Sequence, residues 1–419
     1  MKLLVTGGAG YIGSVVAAKL VAAGHDVTVL DDLSTGRREA VPQDASFIYG
    51  TLRHDAKLAL GDGTDAVLHF AAKSLVGESY ANPSKYWSAN LGGTLALLDA
   101  MRLAGTKRIV FSSTSAVYGE PERVPITETA PTRPTNPYGA SKLAVDTLLS
   151  EHVRMYGFGA VSLRYFNVAG AFRGTNGGWL GDEHDPEAHL LPNILGIGGV
   201  AAAGGTREMM TIHGDDYPTP DGTCIRDYIH VSDLADAHLL ALGACELAEH
   251  KVYNLGNEAG FSVRQVIDMC CEVTQRDIPA VSGPRRPGDP SRLIASSAQI
   301  HADLGWRPAH DLRDMVTDHW QFTQARALLR AGARPGGERQ EQNYTAGGRQ
   351  ARSGARPEGR RTEAGALSPE EAQAAPDLVL VDDGGGVPVA DAMLVSKPVS
   401  AFFTTQEGGS GLQVGEPLG

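Results

Sequence analysis

The sequence KLLVTGGAGYIGSVVAA, residues 2–18, decides the fold that the rest of the chain must adopt. A strand-length apolar run ends in a glycine turn with the spacing Gly8-x-Gly10-x-x-Gly13, and a helical pattern follows at once. Glycines in this context let the backbone approach a pyrophosphate closely, and the helix N terminus offers NH groups and a positive dipole end. The stretch therefore predicts a strand–turn–helix unit that binds a dinucleotide.

The next predicted strand, DVTVLDD, ends in Asp31, at the distance from the glycine turn that suits a ribose contact. An acidic side chain there accepts hydrogen bonds from an adenosine ribose and repels a 2′-phosphate. NAD is therefore favoured over NADP as the cofactor. Arg37 and Arg38 lie shortly downstream and keep NADP from being excluded outright.

Strand-length apolar runs alternate with helical stretches through residues 1–170. This alternation predicts an α/β fold, a Rossmann doubly wound parallel sheet that binds NAD. Residues 171–330 are predicted to form a smaller C-terminal α/β domain that binds the substrate, with chain crossovers between the two. Residues 331–419 begin as a Gly-, Arg- and Gln-rich segment that can bury little apolar surface. They are predicted to be a largely disordered tail, a linker and an appendage of unknown role.

Composition excludes several classes of protein. The formal net charge of −12 argues against a general nucleic-acid binder. The chain has no apolar run long enough to span a membrane, and its first residues enter a strand rather than a signal peptide. The cysteines Cys224, Cys245, Cys270 and Cys271 match neither a zinc pattern nor a CxxC pair. They are interpreted as reduced thiols of a cytoplasmic protein, and no metal site is expected.

The stretch NPYGASKLAVD, residues 136–146, places Tyr138 four residues before Lys142. This spacing puts both side chains on the same helix face. A neighbouring ammonium favours the phenolate and is expected to lower the pKa of the phenol, which would give a base usable near neutral pH. Such a pair alone also arises by chance on exposed helices. Thr114, in the hydroxyl-rich strand end FSSTSAVYG, supplies the third member of the pattern typical of the short-chain dehydrogenase/reductase superfamily.

From residue 1 to about residue 325 the chain resembles the UDP-glucose 4-epimerases (UDP-galactose 4-epimerases), in the extended branch of that superfamily. The matching stretches include VTGGAGYIGS, HFAAKSLVGES, NPYGASK, LRYFNVAGA and RRPGDPSRLIASSAQIHADLGWRP. The resemblance implies reversible NAD-dependent epimerisation at C4 of UDP-glucose and UDP-galactose, by hydride abstraction, rotation of a 4-keto sugar and hydride return. Tyr138 would be the base, Thr114 would hydrogen-bond the 4-oxygen, and Lys142 would hold the nicotinamide ribose and keep the pKa of Tyr138 low.

The resemblance also implies which side chains contact the two ligands. The implied cofactor contacts are Gly7, Gly10, Tyr11, Ile12, Gly13, Asp31, Thr51, Leu52, Phe70, Ala71, Ala72, Asn90, Tyr138, Lys142 and Phe166. The implied substrate contacts are Thr114, Tyr138, Asn167, His189, Leu190, Arg226, Arg286 and Asp289. Thr51 stands where the family usually has an Asp, which is expected to weaken the grip on adenine. His184, His213 and His230 are expected to be structural or solvated.

Other functions for this chain would require different chemistry at the site. Dehydration is disfavoured, because Ser115 and Ala116 follow Thr114 where the related 4,6-dehydratases have acidic residues. A related NAD-dependent nucleotide-sugar epimerase or decarboxylase stays open, as does a non-catalytic NAD-sensing Rossmann module, which the Tyr–Lys pair disfavours. Acceptance of N-acetylated UDP-sugars also stays open. The resemblance implies a homodimer through helices near residues 90–105 and 140–156, with a UDP-sugar substrate and neither nucleic-acid nor membrane partners.

Overall fold

The computed structural model describes residues 1–332, except residues 176, 185–186, 203–208 and 287. Nearly all of the tail predicted at 331–419 lies outside the described residues, so its disorder stays a prediction.

The described residues form strands and helices that alternate along much of the chain. The strands are β1 (Lys2–Thr6), β2 (Asp26–Asp31), β3 (Ser46–Tyr49), β4 (Ala66–His69), β5 (Arg108–Ser112), β6 (Gly159–Tyr165), β7 (Asn167–Ala169), β8 (Ala171–Arg173), β9 (Trp179–Gly181), β10 (Met210–His213), β11 (Ile225–Arg226), β12 (Tyr228–His230), β13 (His250–Leu255), β14 (Phe261–Ser262), β15 (Ala280–Gly283) and β16 (Arg292–Leu293). The α-helices are α1 (Tyr11–Ala22), α2 (Leu52–Leu60), α3 (Val76–Ala81), α4 (Pro83–Tyr86), α5 (Gly93–Ala104), α6 (Pro137–Tyr156), α7 (Leu190–Ala202), α8 (Val231–Gly243), α9 (Val263–Thr274), α10 (Ala298–Leu304) and α11 (Leu312–Gly332). A π-helix at Trp87–Gly92 joins α4 to α5.

Seven of the described strands form one sheet in the order β13-β6-β5-β4-β1-β2-β3, and every pairing in it is parallel. Thr6 of β1 pairs with Leu30 of β2 on one side and with His69 of β4 on the other. The chain order reverses at β1, and ligands of such sheets bind beyond the carboxyl ends of the strands at this point. The predicted Rossmann fold is confirmed.

The side chains of β1 alternate between two cores, one on each face of the sheet. Leu3 and Val5 pack with residues of α1 and α8, whereas Leu4 packs with residues of α2, α5 and α6. None of the three is more than 2 % exposed. Each fully buried aliphatic side chain of this kind contributes about 1.5–3 kcal/mol. Burial on both faces explains why β1 is apolar throughout rather than alternating in polarity.

A third core lies in the later part of the chain and packs α7, α9 and α11 together. Ile194, Val266 and Val316 belong to it and are fully buried. The apolar stretch around Ile194 is therefore a core helix, and no described helix is long and apolar enough to cross a membrane. The chain also returns to the main sheet with β13. The domain boundary at residue 170 stays a prediction.

Two features differ from the sequence-based expectation. The edge strand β3 was not expected, since its residues are only half-buried or exposed and show no apolar alternation. The stretch GAVSLRYFNVAG, residues 159–170, has the apolar pattern of one continuous strand but forms both β6 and β7. The two separate because β6 pairs with β13 in the main sheet, whereas β7 pairs with β12 in a small sheet of its own.

A buried ion pair joins the sheet to α6. Arg164 on β6 donates from Nε and Nη2 to Oδ2 of Asp146 at 3.0 and 2.9 Å. The Ser113 hydroxyl donates to the same oxygen at 3.2 Å, and Arg164 Nη1 donates to the Tyr118 hydroxyl at 3.1 Å. The two charged side chains are 8 % and 5 % exposed. This network fixes α6 one turn beyond Lys142.

We expect Arg164→Met to lower the free energy of unfolding by about 3–5 kcal/mol, because it leaves the Asp146 carboxylate buried and unpaired. Urea denaturation followed by tryptophan fluorescence measures this loss. Adding Asp146→Leu should recover much of it. Arg133→Met is the control, since it breaks an exposed pair with Glu122 and should change stability by less than about 1 kcal/mol. Equal losses in the two single variants would contradict the assignment.

Candidate active site

The glycine turn between β1 and α1 is tightly packed. Gly7 has a φ of +73°, and a Cβ there would lie 2.5 Å from the backbone N of Ala71. A Cβ at Gly13 would lie 2.3 Å from the carbonyl oxygen of Gly7. Only glycine fits these two positions. Because neither residue has a side chain, the N terminus of α1 can lie close to the ends of β1 and β4. A diphosphate can therefore approach the backbone closely at this point.

A cavity of about 1710 Å³ opens beyond the carboxyl ends of the strands. Its wall contains every residue predicted to contact cofactor or substrate, with the single exception of Asn90. Thr51, which replaces the family's usual Asp, lies in the wall at the start of α2. Residues from both halves of the chain thus face one shared space large enough for two nucleotide ligands.

Asp31 holds the glycine turn as well as facing the cavity. Its Oδ2 accepts a hydrogen bond from the backbone N of Ala9 at 2.9 Å, and its Oδ1 accepts one from Leu33 at 2.8 Å. Burial raises the pKa of this carboxyl, and the hydrogen bonds from the backbone amides of Ala9 and Leu33 lower it. A carboxylate has about four lone-pair sites, so acceptor capacity remains for ribose hydroxyls. The glycine cradle and this carboxylate together fit NAD.

Asn90 has a positioning role that the sequence did not indicate. It is 1 % exposed, and its Oδ1 accepts from the backbone N of Lys73 at 2.8 Å. Its Nδ2 donates to the Lys73 carbonyl at 3.1 Å and to the Ser141 hydroxyl at 3.0 Å. Asn90 therefore secures the loop after β4, and its predicted contact with the cofactor stays a prediction. Lys73 itself reaches the wall, where its Nζ donates to the Ser34 hydroxyl at 2.7 Å.

Tyr138 and Lys142 share the buried face of α6, as their spacing predicts. The helix is capped by Asn136, whose Oδ1 accepts from the backbone N of Gly139 at 2.8 Å. This cap fixes the first turn, on which Tyr138 lies. Tyr138 is 9 % exposed and Lys142 is 3 % exposed, and both line the cavity. The alternative of a chance pair on an exposed helix is excluded.

Thr114 completes the group at the end of β5. Its Oγ1 accepts from the backbone N of Ala116 at 3.2 Å, which caps a short 3₁₀ turn and fixes the hydroxyl. Thr114 also hydrogen-bonds Tyr138 in a way that lowers the pKa of the phenol. The three predicted catalytic side chains therefore meet in one part of the cavity wall.

The expected pKa shift of Tyr138 is wrong in direction. Burial raises the pKa of this phenol more than the Thr114 hydroxyl lowers it. Lys142 points its Nζ at the carbonyl oxygen of Ser112, at 2.8 Å. Burial lowers the pKa of Lys142 to about 7, against the opposing charge of Asp146. Burial is the largest cause of both shifts, because the charged form of each group loses its water.

The predicted substrate side chains lie on the opposite wall. Arg226 is buried, forms an ion pair with Asp289, and donates from Nη1 to the Ile225 carbonyl at 2.8 Å. Arg286 is exposed in the same wall, and Asn167 faces the cavity from the start of β7. The carboxylate of Asp289 thus holds one of the two guanidinium groups in place. Guanidinium groups suit bidentate contact with phosphate.

Histidines in the loop between β9 and α7 also face the cavity. His184, expected to be structural or solvated, lies in the wall with its Nδ1 bonded to Asp182. Burial opposes protonation of His189, but hydrogen bonds with Asp182 and Glu187 raise the pKa of His189 to about 10. His230, by contrast, is buried and caps α8, which agrees with a structural role.

Fold and site together define an NAD-dependent α/β enzyme with a hydroxyl–tyrosine–lysine group beside its cofactor cleft. The profile of the family described as "NAD dependent epimerase/dehydratase family" matches residues 3–256. The chain belongs to this family.

Similar proteins cover the same part of the chain. A UDP-glucose 4-epimerase of Corynebacterium glutamicum is 53 % identical over 327 residues, covering 78 % of this chain and 96 % of the relative. One of Streptomyces lividans is 54 % identical over 325 residues, covering 77 % of this chain and 95 % of the relative. The crystal structure of UDP-glucose-4-epimerase from Stenotrophomonas maltophila, with bound NAD and formylated UDP-arabinopyranose, is 36 % identical. Its TM-score is 0.73, with 78 % of this chain and 99 % of that chain covered.

We expect Gly13→Ala to reduce the NAD retained by the purified protein at least about tenfold, because overpacking of about 1–3 kcal/mol is concentrated at the cofactor turn. NAD released by acid denaturation and quantified by absorbance measures the change. Gly243→Ala is the matched control, since a Cβ there meets no atom within 4 Å. Unchanged NAD content in Gly13→Ala would show that the turn does not hold the cofactor.

Proposed function

We propose that this chain interconverts UDP-glucose and UDP-galactose by reversible NAD-dependent epimerisation at C4 of the sugar. The observation that carries the proposal is the meeting of Thr114, Tyr138 and Lys142 with the glycine turn in one cavity. The names of the similar proteins support the choice of substrate. Ser115 and Ala116, beside Thr114, cannot perform the acid–base steps of dehydration, which supports epimerisation over its nearest chemical relative.

The cofactor would be held by Gly7, Gly10, Gly13 and Asp31, and when bound it supplies a reversible hydride acceptor. The side chains of this protein carry out the proton transfer at the sugar 4-hydroxyl. Tyr138 in its phenolate form removes the proton of the sugar 4-hydroxyl and returns it at the end of the cycle.

Thr114 and Lys142 assist this proton transfer in different ways. The Thr114 hydroxyl, fixed by its own cap, donates a hydrogen bond to the 4-oxygen. Lys142, one helical turn from Tyr138, would hold the nicotinamide ribose. The Ser112 carbonyl keeps the ammonium at the cavity wall.

The opposite wall binds the nucleotide and leaves the sugar free. Arg226 and Arg286 would hold the diphosphate, with Asn167 beside them, and Asp289 would contact the uridine ribose. His189 and Leu190 flank the same wall. Because epimerisation requires the sugar ring to present both faces to the same cofactor, firm contacts to the UDP part and a roomy cavity around the sugar suit the reaction.

Tyr138→Phe should lower kcat for conversion of UDP-galactose to UDP-glucose by about 10²–10⁴, because the proton of the 4-hydroxyl loses its base. The assay uses purified protein without added NAD and follows both sugars by chromatography. The variant should retain bound NAD and UDP affinity.

Tyr49→Phe, at an exposed position on β3, is the matched control. A wild-type protein that retains NAD but leaves both sugars unchanged would favour a non-catalytic NAD sensor. Conversion of a different nucleotide sugar would favour the related epimerase or decarboxylase.

We further propose that residues 1–170 bind NAD and residues 171–330 bind the nucleotide sugar. This division is supported by the glycine turn, which lies in the first part, and by Arg226 and Asp289, which lie in the second. A cytoplasmic location is proposed because all four cysteines, each within the described residues, are free thiols.

We also propose a homodimer formed through α5 and α6. Leu95 and Leu103 on α5 are 44 % and 69 % exposed, and Met155 and Tyr156 on α6 are 60 % and 46 % exposed. Exposed apolar side chains gathered on two neighbouring helices are typical of an interface. A two-fold axis between these helices would bring the same surface of both copies together.

Leu95→Asp should convert the dimer to monomers, because the interface would bury an unpaired carboxylate. Sedimentation velocity measures the change in mass. Leu58→Asp on α2, where the wild-type side chain is 69 % exposed, is the control and should leave the dimer intact. A monomeric wild-type protein would exclude this interface.

A further inference from the structure

Four potential metal ligands meet in the loop between β9 and α7. Asp182, His184, Glu187 and His189 each offer one nitrogen or oxygen atom, and these atoms all lie within 4.8 Å of one another. The two imidazole rings are edge to face, with centroids 5.1 Å apart. All four side chains line the substrate cavity.

Both histidines direct the same ring nitrogen at one carboxylate. His189 Nδ1 lies 2.8 Å from Oδ2 of Asp182 and 3.4 Å from Oε1 of Glu187. His184 Nδ1 contacts the other oxygen, Oδ1, of Asp182. The donor atoms of both histidines thus gather around one carboxylate. The Asp182 side chain is 3 % exposed, and the two imidazoles are its partners in place of water.

The neighbouring charges leave this cluster negative. Glu183, next in sequence to Asp182, pairs with Arg326 at 2.8 Å, Arg330 at 3.2 Å and Arg37 at 3.3 Å. Those arginines are therefore engaged by Glu183. A divalent cation bound here would displace any proton on the imidazole nitrogens that ligate it, and the two carboxylates would then balance its charge.

We propose that Asp182, His184, Glu187 and His189 bind one divalent transition-metal ion of the zinc class. Two imidazoles and two carboxylates suit Zn²⁺, whereas Mg²⁺ and Ca²⁺ prefer oxygen ligands alone. Tetrahedral Zn²⁺ places its ligand atoms about 3.3 Å apart, so the 2.8 Å contact between His189 and Asp182 would lengthen and the wider separations, up to 4.8 Å, would close. This inference revises the expectation that the chain has no metal site.

The ion fixes the part of the cavity wall that carries His189 and Leu190. With Nδ1 of His189 bound to metal, this side chain contributes to the wall through the ion and the outer ring edge. The inference does not depend on the proposed reaction, because it rests only on the four donor atoms. The experiment that tests it therefore measures metal binding and not the rate of catalysis.

Titration of the untagged, EDTA-treated full chain with Co²⁺ tests the proposal. We expect the intense visible d–d bands of four-coordinate Co²⁺, saturating at one ion per chain and disappearing when Zn²⁺ is added. His184→Ala should weaken Co²⁺ binding by more than about tenfold. His213→Ala is the matched control, because His213 lines the same cavity outside the cluster, and it should bind Co²⁺ as the wild type does.

Three results would overturn the site. They are a weak spectrum of hydrated six-coordinate Co²⁺ alone, an unchanged spectrum in His184→Ala, and a thiolate charge-transfer band that places the ion on a cysteine. If His184→Ala fails to fold, Glu187→Gln replaces it. Zn²⁺ should then raise the melting temperature of the wild type and not that of Glu187→Gln, and equal rises would reject the site.

Discussion

The ion pair between Arg164 and Asp146 holds α6, which carries Tyr138 and Lys142, on the sheet, and the shape of the candidate site depends on it. Its carboxylate also accepts from Ser113, directly before Thr114, so one buried group aligns β5, β6 and α6. Buried pairs of this kind add little net stability over apolar packing, but removal of one partner is strongly destabilising. The pair therefore acts by allowing only one position of α6, the position that brings Lys142 and Tyr138 to the cavity.

Burial explains the direction of the pKa shifts of Tyr138 and Lys142. The same burial raises the pKa of Tyr138 and lowers the pKa of Lys142, since each charged form is deprived of water. For the phenol, the hydrogen bond with Thr114 opposes this effect, and for the ammonium the charge of Asp146 opposes it. Thr114 and the Ser112 carbonyl hold these two groups in place, so the balance between them is set by fixed contacts rather than by solvent.

The two walls of the cavity have different origins. The cofactor wall is built where the chain order reverses at β1, and its glycines exclude side chains from the turn. The other wall comes from β11, from the loop after β9 and from the segment between β15 and β16, where an ion pair between Arg226 and Asp289 and the cluster around Asp182 replace helix–sheet packing. A rigid wall for the cofactor thus faces a wall assembled from polar side chains, which suits a ligand that must turn.

The sequence by itself determined most of the main sheet, the glycine turn, and the shared helix face of Tyr138 and Lys142. Each of these follows from periodicity or from spacing within one element, and helices and strands translate spacing into geometry directly. Only the tertiary structure decided the positioning role of Asn90, the direction of the pKa shift of Tyr138, and the gathering of four metal-ligand side chains at Asp182. These depend on burial and on contacts between elements, and local spacing carries no information about either.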